Sequence, residues 1–312
     1  MLLIWPFSNS SLQQDEDTNK TTVIVSNFAL YDIVNSLAKD KVKLSMVLPF
    51  GTDIHHFEPS AKTIITIGKS DLFLYNGASL EPWLTIIPQD IIEGIHSLGM
   101  SNYVHLEHQK DTHNHNTHSN QNKHDHEEHT TTAVDPHYWL DIDNMITQTK
   151  IIEKELIKLL PHNDAHIKSH AQEYRSQLEK LRNSYKNKLL TCKHNTIIMN
   201  HNAFGYIAND YNFEIASISN LSPDAQPSAK VLIELSNIIK EKNIKTIFFE
   251  SFVSNKLIQT IAKETNATVK SVHTLANITP SQVKNNENYI SLMYENLDLL
   301  TNALECQNNN EI

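Results

Sequence analysis

The sequence predicts an α/β protein in which two halves of alternating strands and helices are joined by a long rigid helix. In each half, short β-branched or apolar runs are separated by stretches with helical periodicity, which indicates βαβ units and a parallel sheet. Between the halves, apolar residues recur every three or four positions along one seam: Ile167, Ala171, Tyr174, Leu178, Leu181, Tyr185 and Leu189. At about 1.5 Å per residue this seam predicts a helix of roughly 40 Å.

The strands and helix ends follow from local patterns. The predicted strands lie at 22–25, 44–48, 72–75, 196–199, 213–216, 246–249 and 268–270. Asp141 and Ser228 are predicted to cap the N-termini of helices, and Pro161 to separate the helix before it from the long connecting helix. A terminal helix is predicted from about Glu287. The predicted division is an N-terminal lobe at 21–162, a connecting helix at 163–190 and a C-terminal lobe at 191–312.

Composition excludes several function classes. With 312 residues, 39% hydrophobic and 20% charged, the chain is long enough for a core and two domains. The net charge of -10 and the absence of a basic stripe argue against a nucleic-acid partner. Six glycines form no phosphate-binding fingerprint, and no apolar run approaches the roughly 18 residues of a membrane span.

Two segments outside the predicted core, and the two cysteines of the chain, carry separate expectations. Residues 1–20 are interpreted as a leader remnant or a disordered lead-in, because their apolar start is short and lacks Lys or Arg. Residues 105–132 contain eight histidines without apolar periodicity, which predicts a mobile loop that collects metal weakly; the alternative is a fortuitous insertion. Cys192 and Cys306 have no CxxC partner. They could pair in an oxidising compartment, but two unpaired thiols are expected.

Histidines are the candidate metal ligands. His137 lies between a proline and two aromatic residues, which restrict its movement and shield its ring from water. His55, His201 and His273 each follow a predicted strand, and ligands of parallel sheets bind at the carboxyl ends of strands. The hypothesis is that these four rings converge on one divalent cation, zinc, because imidazole suits zinc better than it suits manganese or calcium. Four imidazoles would close a tetrahedral site to water, which predicts binding without turnover.

Alternatives remain open at each of these positions. A single histidine beside a strand end is commonly a packed or surface residue. His55 and His56 are neighbours in an extended loop, so only one of them can face the cleft. Asp53 and Asp135 are either carboxylates that fix imidazole tautomers or loop caps. Glu250 is either a cleft residue or the polar end of its strand.

Four motifs in order resemble a known family. They are GTDIHHFEP at 51–59, NGASLEPWL at 76–84, DPHYWL at 135–140 and HNAFGY at 201–206. Together they are similar to the solute-binding proteins of zinc and manganese ABC importers, the ZnuA/TroA-like group of cluster A-I. The resemblance extends from about residue 22 to about residue 300.

The resemblance implies a fold, a site and a partner. It implies two similar lobes, each with a four-stranded, mainly parallel sheet flanked by helices, joined by one long rigid helix. It places metal in the interlobe cleft on His55, His137 and His201, with His273 at a fourth position that is usually Asp. It implies a monomeric, non-enzymatic protein that is periplasmic or extracytoplasmic, either free or membrane-associated, and that delivers Zn²⁺ to a membrane permease. The alternatives are a manganese-binding protein of the same class, a metal-binding surface adhesin, and a zinc hydrolase. No HExxH, GxSxG or zinc-deaminase motif supports the last of these.

Overall fold

Two four-stranded sheets, both entirely parallel, organise the chain. The computed structural model describes residues 20–108, 133–219, 228–252 and 256–307. In each sheet the first strand in sequence lies between the second and the third, and the fourth lies at the edge beside the third. The predicted architecture of two similar lobes joined by a long helix is therefore confirmed. The leader interpretation, apart from Lys20, and residues 109–132 of the histidine-rich segment, with their predicted collecting role, lie outside the described residues.

The first lobe contains β1 to β4, with helices in the connections between them. Its elements are β1 (Thr21–Val25), α1 (Phe28–Ala38), β2 (Val42–Met46), α2 (Ala61–Ile67), β3 (Leu72–Tyr75), α3 (Gln89–Glu93) and β4 (Ser97–Gly99). Asn27 caps α1 by accepting a hydrogen bond from the backbone N–H of Leu30 at 3.0 Å. The central strand β1 pairs with β2 and β3, and its Val23 and Val25 are fully buried.

The second lobe repeats this arrangement and ends in a longer helix. Its elements are β5 (Thr196–His201), α6 (Gly205–Asp210), β6 (Glu214–Ser219), α7 (Ala229–Glu241), β7 (Thr246–Glu250), α8 (Lys256–Thr265), β8 (Thr268–Val272), α9 (Pro280–Lys284) and α10 (Tyr289–Ala303). Ser228 caps α7 as predicted, accepting from the backbone N–H of Val231. Every residue of β5 is buried, because β5 lies between β6 and β7 and is covered on both faces.

Two helices follow the first sheet, α4 (Ile142–Leu159) and α5 (Asp164–Lys188), and α5 is the long helix that joins the lobes. All seven residues of the predicted seam are buried, and α5 contacts α1, α4 and α10. One continuous hydrophobic core therefore runs from β1 through α5 to α10. The connecting helix is packed against both lobes along its length, so a buried helix joins the lobes and not an exposed linker.

A buried polar contact ties α1 to α5 inside this core. The Tyr174 hydroxyl donates to Asp32 Oδ2 at 2.7 Å, and both residues are buried. Burial raises the pKa of Asp32 to about 6, against the lowering effect of the bond from Tyr174. Nearby on α10, the Tyr289 hydroxyl donates to the backbone oxygen of Trp139 at 2.7 Å. These bonds satisfy polar groups that would otherwise be costly to bury.

Two features differ from the sequence predictions. The first sheet has a fourth strand, β4, at a segment for which no strand was predicted. Its three residues, Ser97–Gly99, offer no apolar run long enough to detect. The expectation of unpaired thiols is wrong, because Cys192 and Cys306 form a disulfide across 114 residues of sequence. The bond joins the segment after α5 to the segment after α10. None of the helices in the described part of the chain combines the length and the apolar composition of a membrane-spanning segment.

Candidate metal centre

Three of the four predicted histidines come together where the two lobes meet. His55 lies in the loop after β2, His137 lies directly before a 3₁₀ turn that leads into α4, and His201 is the last residue of β5. One ring nitrogen from each lies within 4.8 Å of the others. The ring centroids are 5.8 Å apart for His55 and His137, 5.5 Å for His55 and His201, and 5.2 Å for His137 and His201.

The spacing of the nitrogens suits a shared cation. His137 Nε2 and His201 Nε2 are 3.3 Å apart. Two imidazole nitrogens bound to one tetrahedral zinc at about 2.0–2.1 Å are separated by about 3.3 Å. The two buried rings are thus already at the separation that a common zinc ion requires.

Asp135 and the aromatic turn fix the ring of His137. Asp135 Oδ1 lies 2.8 Å from His137 Nδ1 and accepts the backbone N–H of His137 at 2.9 Å. A carboxylate on Nδ1 favours the tautomer that leaves the Nε2 lone pair for a metal. Tyr138 and Trp139 are fully buried, and the Tyr138 hydroxyl donates to the backbone oxygen of Asn76 at 2.7 Å. The sequence left Asp135 open between a tautomer-fixing carboxylate and a loop cap; it contacts the ring.

Glu250 makes the corresponding contact with the ring of His201. Its carboxylate contacts His201 Nδ1, and the two side chains are almost completely buried. The backbone N–H of Glu250 donates to Asn200 Oδ1 at 3.1 Å, which holds the end of β7 against the end of β5. Burial raises the pKa of Glu250 to about 8, with the nearby charge of His137 lowering it and that of Asp53 raising it. Of the two alternatives for Glu250, the cleft residue is the one observed.

His55 closes the cluster from the more accessible side. Its ring is half-buried, whereas His137 and His201 are 1% and 0% exposed. Asp53 Oδ1 accepts the backbone N–H of His55 at 2.9 Å, so this carboxylate shapes the loop. His56 is exposed, so the first of the two neighbouring histidines faces the cleft. The pocket beside His55 and His137 has a volume of about 10 Å³, room for a single water-sized particle.

The structure does not bring His273 to the other three rings. Its Nε2 lies 3.1 Å from Glu295 Oε2, and its Nδ1 lies 3.3 Å from Gln282 Nε2. Asn296 holds its backbone from both sides, accepting from the N–H at 2.9 Å and donating to the carbonyl at 2.7 Å. The expected set of four imidazoles therefore has three members in this structure. The prediction of binding without turnover depends on a fourth imidazole that closes the site to water, and His273 does not provide it.

Two asparagines that support the cluster were not singled out from the sequence. Asn200 positions Glu250 by accepting its backbone N–H.

Asn277 ties the lobes together. Its side-chain amide donates to the backbone oxygens of Pro49 at 2.8 Å and Thr52 at 2.6 Å. The backbone N–H of Gly51 also donates to the oxygen of Ile278 at 3.0 Å. The loop that carries His55 is thereby attached to the second lobe. An asparagine in a loop is too common for sequence alone to indicate this role.

Two parallel α/β lobes joined by a long helix, with a cleft at the carboxyl ends of their strands, define the class of two-lobed solute-binding proteins. A family model matches residues 23–303 and narrows this class. The chain belongs to the family described as ZnuA, zinc-uptake complex component A, periplasmic.

Individual relatives agree with this assignment. The chain is 30% identical over 305 residues to the high-affinity zinc uptake system protein ZnuA of Bacillus subtilis, covering 97% of this chain and 94% of that protein. It is 31% identical over 292 residues to the zinc-binding protein AdcA of Streptococcus pyogenes, covering 90% of this chain but only 55% of that longer protein.

Solved structures show the same fold. The Zn(II)-bound ZnuA-like domain of Streptococcus pneumoniae AdcA is similar with a TM-score of 0.74 and 27% identity, over 92% of this chain and 99% of that domain. The laminin binding protein Lmb of Streptococcus agalactiae, described as bifunctional with adhesin and metal transporting activity, is similar with a TM-score of 0.76 and 27% identity. That likeness covers 91% of this chain and 99% of Lmb.

Proposed function

We propose that this chain is an extracytoplasmic zinc-binding protein that captures Zn²⁺ on His55, His137 and His201 and delivers it to the permease of an ABC importer. The observation that carries the proposal is the convergence of three imidazole nitrogens within 4.8 Å from three distant parts of the chain. Residues 21–162 and 191–312 would be the two lobes of this carrier, with 163–190 as the helix between them. The relatives named as zinc uptake and zinc-binding proteins support the same cargo.

Zinc is preferred over manganese because of the chemistry of the donors. Three neutral imidazoles are ligands for zinc, copper, iron and nickel, whereas manganese is better served by carboxylate and carbonyl oxygens. The two acidic side chains of the cleft, Asp135 and Glu250, contact imidazole Nδ1 atoms, and the ionised form of each accepts from Nδ1–H and leaves Nε2 as the metal-binding nitrogen. Competition between Zn²⁺ and Mn²⁺ on the purified chain tests this preference directly. A higher affinity for Mn²⁺ would contradict it.

Three imidazoles leave a coordination position that water can occupy, so the number of ligands alone does not exclude a zinc hydrolase. A carrier is preferred because of the match to the zinc-uptake family. Asp135 and Glu250 are engaged with the rings of His137 and His201 and are poorly placed to act as a general base. The zinc-loaded protein is therefore expected to hydrolyse a test ester no faster than free zinc does. Turnover that disappears in a His137→Ala variant would support the hydrolase.

An adhesin remains the second candidate, because a similar structure, Lmb, is described as having adhesin as well as metal transporting activity. Adhesion and zinc capture can be separated by measuring laminin binding with and without zinc. Laminin binding of equal strength in the parent and in a His137→Ala variant would indicate an adhesive surface independent of the cleft. Absence of laminin binding would leave zinc capture as the function.

The decisive experiment is metal analysis of the purified chain, followed by calorimetry with Zn²⁺. The His137→Ala variant is expected to lose the tight site, while His96→Ala keeps it, because His96 contacts Glu155 outside the cleft. In cells that lack the parent gene, zinc uptake should be restored by the parent and by His96→Ala but not by His137→Ala. Parent-like affinity in His137→Ala would refute the ligand assignment.

A further inference from the structure

A second pair of histidines lies on the first turns of α5, outside the cleft. His166 and His170 are one helical turn apart, and their ring centroids are 4.2 Å apart with an angle of 39° between the planes. Both side chains are half-buried. The Nε2 atom of His166 is shielded from solvent and has no hydrogen-bond partner among the described residues. A polar nitrogen in this condition is one that a ligand would satisfy.

The spacing matches what a chelating pair requires. Residues four apart on a helix lie above one another on the same face, so both rings can turn toward one ion. A shared tetrahedral zinc needs its two nitrogens about 3.3 Å apart, and rings already in contact reach this by side-chain rotation while the helix fixes their backbone. Shielding from solvent, followed by the nearby charge of His170, lowers the pKa of His166, which favours the neutral ring that metals bind.

The surrounding charges set the strength to be expected. Lys41 and Lys39 act on His166 in the direction that disfavours a cation, and Asp40 acts in the opposite direction. Two protein nitrogens with opposing neighbours make a weaker site than three converging imidazoles. His162, by contrast, is exposed in the 3₁₀ turn before α5 (Pro161–Asn163) and makes no such contact with another ring of the described residues, so it serves as an internal control.

We propose that His166 and His170 form a second binding site for a divalent transition-metal cation, weaker than the cleft and independent of it. Zn²⁺ bound there would bridge one turn of α5 near its N-terminus and hold the two rings in one arrangement. The proposal does not depend on the proposed function, because it concerns residues that the cleft does not use.

The experiment is footprinting of the full-length chain with diethyl pyrocarbonate, which modifies unprotonated imidazoles, at increasing Zn²⁺ and constant pH. Mass spectrometry of peptides reads each histidine separately, so cleft and helix are distinguished in one sample. When free zinc is about ten times the dissociation constant, modification of His166 and His170 should fall together by about tenfold, because only the unoccupied fraction reacts. His162 should keep its reactivity.

Matched variants decide the outcome. In His170→Gln, zinc should no longer protect His166, and in His166→Gln it should no longer protect His170. In His162→Gln and His137→Ala the protection of the pair should persist. Thermal unfolding without metal verifies that each variant is folded. If only one of the variants His166→Gln and His170→Gln folds, that variant alone is sufficient for the test. Unchanged reactivity of both rings at millimolar zinc, or protection of His166 that survives His170→Gln, would overturn the proposal.

Discussion

Replacing Asp135 by Asn tests whether the carboxylate behind His137 contributes to metal affinity. In the parent, Asp135 Oδ1 lies 2.8 Å from His137 Nδ1 and also accepts the backbone N–H of His137. Asparagine has the same shape, and its amide oxygen can still accept both of these bonds, but it carries no charge. The backbone contacts of residue 135, to Glu107 and Tyr206, do not involve its side chain and should survive the substitution.

The size of the effect follows from the bond that is weakened. A hydrogen bond to a charged group contributes about 1.5–3 kcal/mol and one between neutral groups about 0.5–1.5 kcal/mol, so the loss is about 1–2 kcal/mol. At 1.4 kcal/mol per factor of ten, zinc affinity should fall by about 5- to 30-fold. This range overlaps the roughly 10- to 100-fold loss usual when a group behind a metal-bound histidine is removed.

The assay is competition for Zn²⁺ against a chelator of known affinity, at one pH and ionic strength. Glu155→Gln is the matched control, because Glu155 also contacts a histidine ring, His96 Nε2 at 2.8 Å, outside the cleft. Its affinity should equal that of the parent. If Asp135→Asn binds zinc as tightly as the parent while remaining folded, the carboxylate does not tune His137. If Glu155→Gln weakens binding as much as Asp135→Asn does, the effect is a general one of lost charge.

Three further predictions concern the fourth histidine, a buried acid and the disulfide. His273→Gln should leave zinc affinity unchanged in the same competition assay, because its ring contacts Glu295; a loss of about tenfold, or 1.4 kcal/mol, would return it to the ligand set. Burial raises the pKa of Asp32 from 3.8 to about 6, so the folded protein holds this proton more tightly than the unfolded chain does. The stabilisation from the protonated side chain is therefore fully present below the pKa of the unfolded state and is lost as pH rises through the pKa of the folded state. Relative to Asp32→Asn, the parent should therefore lose up to about 3 kcal/mol of unfolding free energy between pH 4 and pH 7 in urea titrations. The control variant Asp40→Asn retains Asp32 and should show the same loss as the parent. Replacing Cys192 and Cys306 by Ser should lower the unfolding free energy by roughly 2–5 kcal/mol without changing zinc affinity, and equal stability would contradict a structural role.

Most of the fold could be predicted because its local patterns agree with its packing. The seam on α5 is apolar at each position that faces the core, and the caps Asp141 and Ser228 lie where the helices begin. β4 could not be predicted, since three residues with one buried apolar side chain give no periodicity. The sequence offers the disulfide only as the less favoured alternative, because nothing local links two cysteines separated by 114 residues.

The histidine cluster shows where sequence reasoning about a site reaches its limit. The sequence indicates His55, His137 and His201 because they follow strands or lie among aromatic residues, and the structure brings them together. His273 satisfies the same strand-end criterion, since β8 ends at Val272. The direction of the His273 side chain, however, is set by two residues of α10. Asn296 binds the backbone of His273, and Glu295 contacts its ring. Placement at a strand end therefore predicts proximity to a cleft but not the direction of the side chain.

The unequal burial of the three imidazoles indicates how a cation would enter and leave. His137 and His201 are 1% and 0% exposed, and each ring contacts an acidic side chain, so these two rings form the buried and immobile side of the cluster. His55 is half-buried on a loop, and it is the ring nearest to solvent. Because one core continues through α5 into both lobes, and because Asn277 ties the His55 loop to the second lobe, a wide hinge motion would break many contacts at once. Exchange of metal through a local movement of the His55 loop breaks far fewer. The structure therefore favours a rigid two-lobed carrier whose site opens at one ligand.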